Sequence, residues 1–155
     1  MPKAWVFYED VEVGESGWTG SHEVEREAIL DFGRRFDPQP FHVDEQAAAA
    51  SHFGGLVASG WHTAAMAMRM MVDSLVASGG ESLGSPGVED LRWLRPVRPG
   101  DTLRAHLEVV GKRELASRAD RGLVRLATRV YNQHEQEVMS MTSLGLFRRR
   151  PPAGP

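Results

Sequence analysis

The chain has no cysteine, no long hydrophobic run and no large excess of charge of either sign. The absence of cysteine excludes disulfide bonds and thiolate metal sites, and it fits a reducing compartment. The richest apolar stretch, Trp61 to Val76, is interrupted by Arg69 and Asp73 and is short for a bilayer span. No apolar segment of a secretory signal occurs in the first thirty residues. Because the net charge is −3, we expect no nucleic-acid partner, and we predict a cytoplasmic protein without a membrane partner.

At 155 residues the chain is long enough for one domain with its own core. Apolar residues at helical spacing predict a helix over residues 25–36, and an alanine run predicts a short helix capped by Asp44. The stretch from Trp61 to Val76 is apolar almost all round, so we expect a helix buried on every side. Alternating apolar residues predict strands later in the chain, over residues 88–94, 103–109, 124–130 and 138–147. Residues 4–8 could form a strand or an edge segment, and a short strand is expected around Trp18.

Helices in the first half and strands in the second indicate an α+β domain rather than a βαβ repeat. In the simplest packing, a curved antiparallel sheet wraps around the Trp61–Val76 helix and covers one side of that helix. A second copy of the chain is the simplest cover for the other side, so we predict a homodimer. The single domain is expected to span residues 1–147. The arginine run and prolines that follow predict a disordered tail over residues 148–155.

A carboxylate and an imidazole stand close together in the segment Asp37-Pro38-Gln39-Pro40-Phe41-His42. Each proline opposes helix formation and keeps the residue before it extended, so the segment is expected to be a stiff loop. An acid and a base held at fixed positions are suited to proton transfer. On these residues alone, a turn carboxylate and a partly buried histidine without a catalytic role are the favoured interpretation.

Ser59 and Gly60 stand at the predicted start of the buried helix. The first N–H groups of a helix have no partner within it and carry the positive end of its dipole. A glycine there leaves room for a ligand, so these amides could stabilise a carbonyl oxygen that gains negative charge. The alternative, which the residues alone favour, is that Ser59 is an N-cap and Gly60 only allows close packing.

Other chemistries have weaker support in the sequence. The residues His42, Asp44, His52 and His62 show no recognised metal-ligand spacing, so we predict no metal site. The Gly-x-Ser-x-Gly elbow of serine hydrolases is absent. The paired glycines after residue 53 lack the spacing and context of a phosphate-binding loop.

The run from Phe36 to Thr63 resembles the MaoC-like dehydratases and (R)-specific enoyl-CoA hydratases, as do residues 87–94 and 96–101. The shared element is an aspartate followed five positions later by a histidine in a proline-containing loop, then Phe-Gly-Gly and a Ser-Gly helix start. The resemblance implies a hot-dog fold, an antiparallel sheet wrapped around a long central helix. It further implies an active site near a dimer interface, with a tunnel for an acyl thioester.

The resemblance implies a hydro-lyase that adds water to a trans-2-enoyl-CoA to give an (R)-3-hydroxyacyl-CoA, or removes it. Asp37 and His42 would be the catalytic pair, and the N–H of Gly60, beside Ser59, would bind the thioester oxygen. No separate cofactor is implied, since CoA or an acyl carrier protein belongs to the substrate. A hot-dog thioesterase and a non-catalytic partner subunit remain alternatives.

Two features leave the substrate branch open. Gln39 stands where many hydratases of this group have asparagine, and Pro38 is a second difference from their commonest motif. The arginines Arg92, Arg95 and Arg98 are candidate contacts for the phosphates of CoA, although solvated surface charge is the favoured interpretation.

Overall fold

The computed structural model describes residues 3–154. Its helices are α1 (Arg26–Phe36), α2 (Pro40–Val43), α3 (Glu45–Ala50) and α4 (Gly60–Ala77). Its strands are β1 (Ser16–Trp18), β2 (His22–Glu23), β3 (Gly87–Trp93), β4 (Thr102–Leu115), β5 (Arg118–Tyr131) and β6 (Glu137–Arg148). None of the helices in this part of the chain is long and apolar enough to cross a membrane.

The strands form one antiparallel sheet in the order β1–β4–β5–β6–β3, and β2 pairs with the beginning of β4. Long hairpins join β4 to β5 and β5 to β6, so that Thr128 pairs with Leu107 on one side and with Met141 on the other. The predicted alternation in β4 is confirmed, because Leu103, Ala105, Leu107 and Val109 are all buried. One face of the sheet therefore lines the core, as a period of two requires.

Helix α4 lies against that face and supplies Met66, Ala67, Met70 and Met71 to the core. The α+β architecture with a curved sheet around a central helix is thus confirmed. The helix is not buried on every side within one chain, however. An apolar stripe at helical spacing, formed by Trp61, Met68, Val72 and Val76, is exposed to between 43% and 66%. We call these four residues the outer stripe.

The structure differs from the sequence patterns near both ends of the chain. Residues 4–8 form no strand; a short 3-10 helix, Tyr8–Asp10, follows them, and Trp5 and Tyr8 are buried in a small cluster of their own. The folded part also continues beyond residue 147. Strand β6 includes Arg148, and the next two arginines form ion pairs with the acidic side chains of the 3-10 helix. Those acidic partners hold Arg149 and Arg150 on the domain, and Arg148 pairs with Glu81.

Candidate active site

Asp37 lies at the end of α1, where the chain leaves the helix. Its backbone is no longer helical (φ −150°, ψ 71°), although its N–H still donates to the carbonyl of Gly33. Gly33 also decides how closely α1 approaches the next segment. A Cβ at this position would lie 2.9 Å from the carbonyl oxygen of His42 and from Cγ1 of Val43. The absence of a side chain at Gly33 therefore lets α1 and α2 meet and places Asp37 beside His42.

His42 does not lie on a loop, as the prolines predicted, but in the single-turn helix α2. Gln39 is the N-cap residue of that helix and Pro40 its first residue. Proline is favoured at this first position, because its missing N–H would have no partner there anyway. The second proline therefore starts a helix instead of preventing one. The helix holds the His42 side chain inward, with 5% of the residue exposed.

The carboxylate of Asp37 faces the imidazole of His42, with Oδ2 at 3.3 Å from Nε2. Two neutral donors also reach this carboxylate: the Ser59 hydroxyl donates to Oδ2 at 2.7 Å, and the Gln39 side-chain amide donates to Oδ1 at 2.8 Å. Partial burial of Asp37 opposes its ionisation. The hydrogen bonds from Gln39 and Ser59, with the charge of His42, outweigh burial and hold the pKa of Asp37 below its ordinary value.

The other ring nitrogen of His42 fixes the orientation of the imidazole. Nδ1 lies 2.7 Å from the backbone carbonyl oxygen of Val57. A carbonyl oxygen only accepts hydrogen bonds, so Nδ1 carries a proton. Nε2 is therefore the ring atom that faces Asp37 and can exchange a proton in the cavity.

Ser59 occupies the N-cap position of α4 but does not cap the helix with its side chain. Its hydroxyl donates to Asp37 instead. Among the described residues, the N–H groups of Gly60 and Trp61 have no hydrogen-bond acceptor. These two donors are free, at the positive end of the helix dipole, and they line the same cavity as Asp37 and His42.

A cavity of about 430 Å³ joins these groups. Its wall includes Asp37, His42, Ser59, Gly60 and Gln39, together with Phe41, Phe53, Trp61, Thr63, Trp93 and Arg95. The indole of Trp93 packs so closely on Gly60 that a Cβ there would lie 2.5 Å from the ring. Trp61 meets the same indole edge to face, at 5.1 Å between ring centroids. A second, apolar cavity of about 340 Å³ lies along the later half of α4 and shares no lining residue with the first.

The structure separates the three arginines that the sequence grouped. Arg95 lines the cavity, whereas Arg92 lies on β3 outside its lining. Arg98 is occupied elsewhere, because its guanidinium donates to the carbonyl of Phe53 at 2.7 Å. Within residues 3–154, no group of three or more histidine, aspartate or glutamate side chains is arranged to hold a metal ion.

Three features of the site were not among the predicted site residues. The carbonyl of Val57 orients His42 from 15 positions away, and no sequence signal marks a backbone acceptor. Trp93 reaches the cavity from the end of strand β3, so its place in the cavity wall follows from the sheet topology. Gln39 could have been found, because it stands two positions after Asp37 and carries an amide that can reach a neighbouring carboxylate.

Fold and site together define a hot-dog domain that holds a carboxylate and an imidazole in one cavity, beside free helix amides. Residues 13–130 match the family described as MaoC like domain, and the chain belongs to that family. A solved structure of a MaoC-like dehydratase from Rhodospirillum rubrum is 41% identical, with a TM-score of 0.82 over 94% of this chain and 98% of that one.

Two curated relatives extend the comparison. The chain is 30% identical to the uncharacterized protein YdeM of Bacillus subtilis over 126 residues, 81% of this chain and 87% of that protein. It is 28% identical to an (R)-specific enoyl-CoA hydratase of Rhodospirillum rubrum over 109 residues, 68% of this chain and 70% of that protein. The family and the hydratase relative support hydratase chemistry in general.

Proposed function

We propose that this protein is a hydro-lyase that adds water to a trans-2-enoyl-CoA to give an (R)-3-hydroxyacyl-CoA, or catalyses the reverse dehydration. The observation that carries the proposal is the meeting of Asp37, His42 and the free amide of Gly60 in one cavity. Hydration of an enoyl thioester needs an acid–base pair and a donor for the thioester oxygen. The name of the hydratase relative supports the same reaction.

Asp37 and His42 would together hold and deprotonate the attacking water. Its oxygen forms a bond to C3, and the electrons of the C2=C3 double bond move toward the thioester oxygen as an enolate. The member of the pair that took the proton then returns it to C2, so the pair ends in its starting state. General acid–base catalysis of this kind contributes about 10²–10⁴-fold.

The enolate places negative charge on the thioester oxygen, and the amides at the start of α4 can stabilise it. Within residues 3–154, the N–H groups of Gly60 and Trp61 have no acceptor, and the Ser59 hydroxyl donates to Asp37 rather than capping the helix. These donors are fixed by the helix and need no rearrangement during the reaction. Removal of one such donor in known enzymes costs about 10²–10³-fold.

We further propose that the chain works as a homodimer. The outer stripe on α4 exposes apolar side chains in a row, and the neighbouring edge strand β3 exposes Val88 and Trp93. A two-fold interface is the simplest arrangement that covers both. Because Trp61 and Trp93 also line the cavity, a second copy would cover part of its wall.

The proposed reaction is tested with Asp37→Asn and His42→Ala on short trans-2-enoyl-CoA substrates, by loss of the enoyl absorbance. We expect each substitution to lower turnover by orders of magnitude while the circular dichroism spectrum stays unchanged. Asp31→Asn and His134→Ala are matched controls, since both residues are exposed and lie outside the cavity lining. Turnover near the wild-type value in Asp37→Asn and His42→Ala would refute the assignment.

The same assay separates the alternatives. A thioesterase would release free CoA, which a thiol reagent detects, whereas hydration consumes the enoyl absorbance without releasing a thiol. A non-catalytic partner subunit would show neither signal on its own with acyl chains of any length.

A further inference from the structure

Gln39 has a position in the site that the acid–base pair alone does not explain. Its backbone N–H donates to the carbonyl of Asp37 at 2.8 Å, and its own carbonyl accepts from the N–H of His42 at 2.9 Å. The backbone of Gln39 therefore connects the main chain of Asp37 to the main chain of His42. As the N-cap of α2 it is held in an extended conformation, with φ −71° and ψ 144°.

The side chain of Gln39 supplies the remaining hydrogen bond to the Asp37 carboxylate. The two neighbours of Asp37 on the buried side, Ser59 and His42, both face the same oxygen, Oδ2. In the described part of the chain, Oδ1 accepts only from Nε2 of Gln39, at 2.8 Å. The carboxylate torsion of an aspartate is soft, so contacts at one oxygen leave the plane of the group poorly fixed.

We propose that Gln39 is a positioning residue, which holds the carboxylate of Asp37 through Oδ1 so that Oδ2 stays directed at His42. This proposal rests on the proposed hydratase function. Gln39 does not exchange protons itself, because an amide does not titrate. Its action reaches the substrate only through Asp37.

The hydrogen bond of Gln39 also favours the ionised form of Asp37. It is the strongest of the contacts that lower the pKa of this carboxyl against the effect of burial. Without the amide donor, the pKa of Asp37 rises. If Asp37 must be ionised in the reaction, this rise in pKa moves the acid limb of the pH–rate profile to higher pH.

The proposal is tested with Gln39→Met, which keeps the length of the side chain and removes only the donor and acceptor. We expect kcat to fall by about 10–100-fold, since small displacements of a catalytic group have costs of this order. KM should change little, and the acid limb of kcat/KM should move to higher pH. Gln46→Met is the matched control, because Gln46 is exposed on α3 and makes no side-chain contact with Asp37.

A readout that is independent of turnover accompanies the kinetics. The Asp37 carboxyl is titrated by carbon-13 NMR of protein labelled at aspartate Cγ, with the signal assigned through Asp37→Asn. A higher pKa in Gln39→Met than in wild type and in Gln46→Met supports the proposal. An unchanged titration, or a rise in KM with an unchanged kcat, would overturn it, because Gln39 would then contact substrate or nothing.

The two proposals fail in different ways. If wild type hydrates no enoyl-CoA, the proposed function is wrong, and the NMR titration still decides whether Gln39 holds the carboxylate. If wild type is active and Gln39→Met matches it in kcat and pH profile, only the positioning role is wrong.

Discussion

Replacement of Gly60 by alanine tests how the start of α4 is used. A Cβ at this position would lie 2.5 Å from Cδ2 and from Cε2 of Trp93. Carbon atoms in ordinary contact are about 3.5–4.0 Å apart, so the indole must retreat by about 1 Å. Trp93 lies at the end of an edge strand and is not part of the buried core, so the ring can move without disrupting that core. We therefore expect Gly60→Ala to fold and to have an altered cavity wall.

The expected effect of Gly60→Ala is on turnover. The displaced indole and the added methyl group crowd the amides that would bind the thioester oxygen. Loss of such a donor lowers the rate by about 10²–10³-fold, and we expect kcat/KM for a short enoyl-CoA to fall in that range. The assay is the loss of enoyl absorbance, with thermal unfolding measured in parallel. Gly55→Ala is the matched control, because its Cβ would meet only Arg98 at 3.5 Å, an ordinary contact.

The double variant Gly60→Ala/Trp93→Ala separates two causes of that loss. If the displaced indole is responsible, removal of the ring should recover at least about tenfold of the lost kcat/KM, as couplings between contacting residues allow. A double variant no better than Gly60→Ala would show that the methyl group itself blocks the substrate. Turnover of Gly60→Ala near the wild-type value would refute the use of the helix amides.

Three further predictions concern charge, stability and assembly. Burial, followed by the positive charges of two nearby histidines, lowers the pKa of His62 below its ordinary 6.5. As the pH drops below about 6.5, the imidazole of His62 is therefore protonated in the unfolded chain before it is protonated in the folded chain. The free energy of unfolding falls as a result. In thermal unfolding, His62→Leu should weaken the dependence of stability on pH, whereas the exposed control His134→Leu should keep the wild-type dependence. An equal dependence on pH in both variants would contradict the assignment. Ser59→Ala removes a donor from Asp37, so the acid limb of kcat/KM should move to higher pH, and an unmoved limb would count against that contact. Val72→Glu places a charge in the outer stripe and should shift the sedimentation of the protein toward that of a monomer. A wild-type protein that is already monomeric at micromolar concentration would contradict the proposed homodimer.

The sheet could be predicted because alternating apolar residues mark one buried face, and the central helix because a long, almost continuously apolar stretch favours a buried helix. Leu103 and Leu107 are buried at alternate positions in β4, which is the pattern that a half-buried strand imposes. Helix α2 could not be predicted in this way. One turn is too short to show a period, and Pro40 has the opposite meaning at the first position of a helix from its meaning inside one.

The candidate site was only partly accessible from the sequence, for a related reason. Asp37 and His42 stand five positions apart, so a local segment suggested that they meet. The partners that orient them come from elsewhere: Ser59 is 22 positions from Asp37, and Val57 is 15 positions from His42. Ser59 was predicted at the helix start, but its hydroxyl binds Asp37 rather than the helix, and this depends on how α1 packs near α4.

The most direct test of the proposed function is to incubate the purified chain with trans-2-butenoyl-CoA and longer homologues and to analyse the product. We expect the enoyl absorbance to disappear without release of free thiol, and the product to be the (R)-3-hydroxyacyl-CoA. Both should be lost in Asp37→Asn. Release of CoA, or no turnover with any chain length, would contradict the account.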